Sequence, residues 1–355
     1  MKNGCATLLT LLLLVCMSTT GSEYDLVINN GRVLDPDSNL DAIRHIGILD
    51  GEIVVVSEQP LVAASVIDAS GLVVAPGFID LHTHSPTPLG QYYQAFDGVT
   101  TALELEAGSF PVLDYGASIS DKPLINFGAS AGHVSMRVYE KNGLRMSDVL
   151  SSPSPEGIKG WMTAIEFFFT DMDTALAESL YEEATVEELE SLRAMLNADL
   201  DAGSIGIGLP LDYFSAAIQE AEMRMIFETA AEHGAPLFIH IRRGVDGDPS
   251  GLLEVIDLAR EYGNSVHICH ITHNAISNLE LFLGEVRKAQ AEGIDITTEV
   301  LPYNAGSALI SSAVFGRDWQ TIFNITYEDV EWAATGERFD KTMWDDYYQN
   351  YPDGQ

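Results

Sequence analysis

The sequence predicts an α/β protein, a (β/α)₈ TIM-type barrel preceded by a small N-terminal β-sandwich portion. Three observations carry this. From Gly71 onward, apolar strand-like runs alternate with amphipathic helical runs. Seven strand candidates follow in series, which points to a barrel rather than a doubly wound sheet. Before Gly71 the pattern is instead one of short alternating runs separated by turn residues.

The early runs are Asp25–Ile28, Gly31–Leu34, His45–Ile48 and Glu52–Val56. Asn29-Asn30-Gly31 and Asp50-Gly51 are hairpin signals between them. The barrel strands are expected at Leu72–His82, Thr100–Glu106, Leu124–Ala129, Ile205–Leu209, Leu237–Ile241, Val266–Ile271 and Ile294–Val300. Helices are expected at Thr185–Leu200, Glu220–His233, Leu252–Tyr262 and Asn278–Glu292. Thr185 with Glu188 is a capping box, and Gly234, Gly263 and Gly293 stand where helices end. Glu140–Ala184 is longer than an ordinary connection and holds Trp161 and Phe167–Phe169; it reads as a lid or an extra helical layer. No eighth strand is evident after Val300.

The chain has 355 residues, of which 46% are hydrophobic, enough for a large core. Residues 1–22 read as a secretory signal: Lys2, a short apolar core from Ala6 to Met17, then small residues. The core is too short to span a bilayer, which needs about 20 apolar residues. A cleaved signal is expected rather than a lipid anchor at Cys16, because Val15 is a poor residue before it. The expected destination is therefore the periplasm or the outside of the cell. Only Cys269 would then remain, which allows no internal disulfide. Residues 23–70 are expected to form the β-sandwich portion, 71–318 the barrel, and 319–355 a C-terminal segment that is incomplete. Net charge is −35, which argues against nucleic acid and anionic membranes as partners. A solvated acidic surface is the simplest account of that charge.

The strand Leu72–His82 delivers His82-Thr83-His84. Residues i and i+2 of a strand face the same way, so both imidazoles would leave on one face. His240 and His270 end two later strands. In a barrel these ends converge on one mouth, where four nitrogen donors of the type zinc takes would meet. Strand two carries Glu104 and Glu106, which are costly to bury without a cation or hydrogen-bond donors. Glu106 lies nearer the mouth and is the expected carboxylate ligand. His267 is expected on the opposite strand face, and His273 is expected to be solvated.

Gly77-Phe78-Ile79-Asp80-Leu81-His82-Thr83-His84 resembles the opening metal motif of the amidohydrolase superfamily. Gly98–Thr101, Gly132–Arg137, Gly203–Leu209, His240–Arg242, Cys269–Ile271 and Pro302–Ser307 follow in order. This ordered set is similar to the N-acyl-D-amino-acid deacylases, or D-aminoacylases, over roughly residues 24–340. The resemblance implies one or two Zn²⁺ ions on His82, His84, His240 and His270, and hydrolysis of N-acyl-D-amino acids by metal-bound hydroxide. It implies Tyr303 at the substrate carboxylate or the reacting carbonyl. Arg242 stands where family members often have Arg, which suggests recognition of the substrate carboxylate or simple ion pairing. His133 would help hold the oxyanion if it is not first a loop residue. The family often has a cysteine on strand two; Glu106 or Glu104 stands there instead. The family's strand-eight aspartate is not found, and the chain is expected to be cut short at its C-terminus.

The expected partner is a small N-acyl amino acid, with a homo-oligomer left open. Two other readings stand beside this one. The first is another cyclic-amide or peptide hydrolase of the superfamily, such as a hydantoinase-like or dihydroorotase-like enzyme, although no lysine sits at a suitable strand end. The second is a non-catalytic metal-binding remnant.

Overall fold

The computed structural model describes residues 23–119, 122–145, 179, 181–214, 217–301, 305–312, 314–351 and 354. The signal expected at 1–22, most of the 140–184 insertion with Trp161 and Phe167–Phe169, and Tyr303 lie outside the described residues. The chain divides into two compact units, Met1–Gly77 and Phe78–Gln355.

In the first unit, β1 (Leu26–Asp35), β2 (Leu40–Leu49), β3 (Glu52–Ser57) and β4 (Ser65–Asp68) form one sheet in the order β3-β2-β1-β4. A short β5 (Val73–Val74) also pairs with β1. The Asp50-Gly51 turn forms as expected, with both residues at positive φ between β2 and β3. The Asn29-Asn30-Gly31 hairpin does not form. The two runs beside it are one strand, β1, whose register shifts between Ile28 and Gly31. Such a bulge also uses a residue in the left-handed region, here Asn30 at φ 66°. Gly31 is required there, because a Cβ would sit 2.5 Å from Cγ2 of Val74. One sheet is present among described residues 23–77, so the facing layer of a sandwich is not among them.

In the second unit, β6 (Phe78–Asp80), β7 (Val99–Ser109), β8 (Asn126–Gly132), β9 (Ile207–Pro210), β10 (Leu237–His240), β11 (Val266–Ile268) and β12 (Ile296–Thr298) form a seven-stranded sheet. Every pairing is parallel, and each strand lies beside the next in sequence. This is the winding of a (β/α) barrel. Among the described residues no eighth strand joins β12 to β6.

The helices are α1 (Pro88–Phe96), α2 (His133–Asn142), α3 (Val186–Asp201), α4 (Glu220–His233), α5 (Ser250–Tyr262), α6 (Ile271–Ala275) and α7 (Leu279–Ala291). Thr185 caps α3 through the expected capping box with Glu188. Gly234 and Gly263 end α4 and α5 in the left-handed region, as expected. The core lies between sheet and helices: Ile207, Leu209, Leu237, Ile239 and Ile268 from the strands meet Leu196, Phe227, Val255 and Phe282 from the helices. Each such side chain contributes roughly 1.5–3 kcal/mol of burial energy.

After β12, a small aromatic cluster of Ile310, Trp319, Phe339 and Trp344 organises α8 (Trp319–Phe323), the hairpin β13 (Glu331–Trp332)–β14 (Glu337–Arg338), and α9 (Lys341–Asn350).

The Leu72–His82 strand is corrected. Val73–Val74 pairs with β1 of the first unit, whereas Phe78–Asp80 begins the parallel sheet. Pro76-Gly77 divides the run. The two histidines therefore leave an irregular segment after β6, not a regular strand face.

Candidate metal centre

Glu106 lies inside the C-terminal part of β7 and is buried. Its carboxylate faces four imidazoles. Oε2 is 2.7 Å from Nε2 of His82 and 3.3 Å from Nε2 of His84. Oε1 is 2.8 Å from Nδ1 of His240 and 3.2 Å from Nε2 of His270. The four imidazoles arrive from three places in the chain. His82 forms an isolated bridge with Glu104 just after β6, and the side chain of His84 is half exposed. His240 ends β10. His270 lies past the end of β11, at φ 32° and ψ 57°, where it precedes α6. A histidine in this left-handed conformation costs energy that the surrounding packing must supply. The donor atoms of His82, Glu106 and His270 lie within 4.8 Å of one another, close enough to share one ion at bond lengths near ~2 Å.

Three of the four far nitrogens have hydrogen-bond partners. Nδ1 of His82 meets Glu299, and Nδ1 of His84 meets Glu104 at 2.9 Å. Nδ1 of His270 lies 3.4 Å from Nδ2 of Asn274, and Nε2 of His240 lies 3.7 Å from Asp212. Three rings thus turn Nε2 inward and one turns Nδ1 inward. Fixing the outer nitrogen of an imidazole sets which nitrogen faces a metal.

The electrostatics follow from this packing. Burial would raise the carboxyl pKa of Glu106, but the four imidazoles outweigh it and hold it well below the usual range. Burial works against a charged His82, yet Glu106 and Glu299 raise its pKa to about 9. Glu104 and Glu106 likewise bring His84 to about 10 against burial. His240 is lowered, chiefly by burial. Glu299 is brought down to about 2 by His267 and His82 in spite of its burial.

Several expected residues fall elsewhere. His133 begins α2, fully buried, with Nε2 2.9 Å from Oε1 of Glu222 on α4. Glu222 also takes two bonds from Nη1 of Arg137, at 2.7 and 2.6 Å. His133 thus belongs to a buried ion network between helices. Arg242 donates from Nε to Glu254 at 2.9 Å and from Nη2 to the carbonyl of Ile218 at 2.5 Å. It lines a cavity of 530 Å³ with Met223, Glu254 and Glu261 of α4 and α5, on the helical side. Of the two roles weighed for Arg242, ion pairing is the one this geometry shows. Tyr303 lies outside the described residues.

Glu299, Asp212 and Cys269 are the residues that sequence reasoning missed. Cys269 is free and buried, and its sulfur lies with donors of His82 and Glu299 within 4.8 Å. His267, set aside on register grounds, is 3.5 Å from Glu299 and 2.8 Å from Oγ1 of Thr297. Glu299 carried one legible signal, an acid closing the apolar–Thr run Ile294–Thr298.

Comparison with known proteins agrees with this fold. The amidohydrolase family model matches residues 65–296. The chain belongs to the amidohydrolase family. It is 28% identical over 294 residues to an allantoinase of Bacillus licheniformis, covering 78% of this chain and 59% of that one. It is 25% identical over 323 residues to an N-acyl-D-glutamate deacylase of Alcaligenes xylosoxydans xylosoxydans, covering 81% and 59%. The crystal structure of N-acyl-D-glutamate deacylase from Bordetella bronchiseptica, complexed with zinc and a phosphonate inhibitor, superposes with a TM-score of 0.61. There the identity is 22%, covering 81% of this chain and 60% of that one. The chain thus spans about three-fifths of the length of the curated relatives it matches.

Proposed function

We propose that this protein is a divalent-metal-dependent hydrolase of C–N bonds whose substrates are N-acyl-D-amino acids. The observation that carries this reading is the Glu106 carboxylate surrounded by His82, His84, His240 and His270. The residues fit a cation. Neither ring nitrogen of buried His240 finds a hydrogen bond among the described residues, although Nδ1 lies against a carboxylate. Orphaned buried nitrogens are uncommon without a function. His82, His84, Glu106, His240 and His270 would hold the ion, and nitrogen with carboxylate donors suits zinc. When bound, it would supply a Lewis acid for the scissile carbonyl and acidify a water.

The remaining work belongs to the chain. Glu299 and Glu104 accept from Nδ1 of His82 and His84 and so hold these two rings in the tautomer whose bare Nε2 faces inward. Half-exposed His84 marks the side open to solvent, and the ring of Tyr213, 5.0 Å from that of His240, stands edge-on beside the buried wall. The similarity to two N-acyl-D-glutamate deacylases supports the D-amino-acid substrate. The similarity to an allantoinase supports a second reading, opening of a cyclic amide.

The deciding experiment incubates the full chain with zinc and a panel of N-acetyl-D-amino acids, their L-forms and allantoin, and measures released amine or ring opening. Amine release from the D-forms alone is expected. Turnover of allantoin alone favours the second reading, and turnover of neither by a zinc-loaded chain rejects both.

A further inference from the structure

Besides the metal centre, the structure contains a second concentration of charge, around Arg243, Asp212 and Arg317. The Arg243 side chain is 1% exposed, and none of its three guanidinium nitrogens finds a hydrogen bond among the described residues. A guanidinium has five N–H donors and cannot shed its proton. Leaving all five unmade in a buried place is costly, and such a group calls for an explanation.

Its neighbours do not supply one. Asp212, in the short turn after β9, is its nearest carboxylate at 3.7 Å from Nη1, too long for a hydrogen bond. Both oxygens of Asp212 are already claimed by Arg317, at 3.1 and 2.6 Å, and Oδ1 also accepts the backbone N–H of Arg243 at 3.0 Å. Phe323 of α8 closes one face of the guanidinium, 4.6 Å from the ring centre. Two guanidinium groups therefore share one carboxylate, a local positive surplus in a chain whose net charge is −35.

The surplus adjoins the metal centre. Asp212 lies 3.7 Å from Nε2 of His240, and the ring of the neighbouring Tyr213 is 5.0 Å from that of His240. His273 and Tyr213, the latter at 38%, are exposed beside the buried Arg243 and Asp212.

We propose that Arg243 is a specificity-determining residue that binds the carboxylate of the substrate, forking to its two oxygens. The planar fork matches a carboxylate in shape and charge. This rests on the amide-hydrolase reading, since it places the carboxylate of an N-acyl amino acid next to the centre that would meet its amide. Arg242, the adjacent arginine, is held by Glu254 and does not compete.

The test measures binding by calorimetry, with zinc-loaded and zinc-free full chain. The probes are N-acetyl-D-alanine and its carboxamide, which differ only in the carboxylate. The native protein is expected to bind the acid at least tenfold more tightly than the carboxamide. Arg243→Gln should abolish that preference, and Arg243→Lys should restore part of it. Thermal melting of each variant without ligand separates lost binding from lost fold. Equal binding of acid and carboxamide by the native chain overturns the proposal, as does a preference that survives in Arg243→Gln. If Arg243→Gln does not fold, the Arg243→Lys variant decides: a preference undiminished from the native value overturns the proposal, and a reduced one supports it. Hydrolysis that shows no such preference would remove Arg243 while leaving the hydrolase reading intact.

Discussion

Glu299, closing the run that contains β12, accepts a hydrogen bond from Nδ1 of His82, 217 residues earlier in the chain. This contact joins the first and last strands of the parallel sheet at the site itself. It also commits His82 to one tautomer, with Nε2 turned to Glu106. Glu299→Gln keeps the size but allows the amide to present a donor where only an acceptor serves. Zinc affinity is expected to fall roughly 10- to 100-fold, with the circular dichroism spectrum unchanged. Competition with a chromophoric chelator measures it, and an unaltered affinity would show that Glu299 does not position the ring.

His240→Ala and His270→Ala remove donors from the buried side of Glu106. Each is expected to leave metal content, measured by elemental analysis of the purified chain, well below that of the native protein. The companion change His273→Ala removes an exposed ring that makes no contact with Glu106, and should retain the metal. If all three hold equal metal, the centre has been misread.

The parts of this site that were legible are those signalled by local pattern. His240 at the end of an apolar run, and Glu106 two residues after Glu104, follow from strand periodicity alone. His82 and His84 were found for a reason that does not hold in detail, since Pro76-Gly77 splits their strand and the rings converge from an irregular segment. Asp212 and Glu299 were missed because an acid near a strand end is ordinary in a chain with 53 of them. Only three-dimensional neighbours distinguish these two. For His133 the motif suggested chemistry, and the partner the structure places against its ring, Glu222, stands eighty-nine positions later, where no local pattern points to it. The Asn-Asn-Gly bulge shows the same limit, since a left-handed Asn before Gly suits a hairpin and a bulge equally.

Asp199 supplies a pH dependence independent of the metal. Burial near the end of α3, with a smaller push from Asp114, raises its pKa to about 6, against the pull of the Val112 N–H it accepts at 3.1 Å. The unfolded value is about 3.9. The folded state therefore binds the proton more tightly, and this group's contribution to stability is lost as pH rises from about 4 through 6. Asp199→Asn can still accept from Val112. It should raise the melting temperature at pH 8 and change it little at pH 4. A melting temperature lowered equally at both pH values would contradict this assignment.

The network of His133, Arg137 and Glu222 gives the test that separates structure from chemistry. All three are buried. Arg137 donates from Nε to the carbonyl of Ser179 at 2.9 Å and from Nη1 to both oxygens of Glu222. Glu222→Gln would leave the guanidinium buried without its counter-charge. The loss expected is about 3–5 kcal/mol, the usual cost of breaking one side of a buried pair. Urea unfolding measures it. His133→Gln, which keeps a donor toward Glu222, should cost less. Neither change touches the carboxylate of Glu106, so the folded fraction of both variants should keep native metal content and native amine release. A His133→Gln protein that is as stable as the native chain but has lost its turnover would return His133 to the reacting centre.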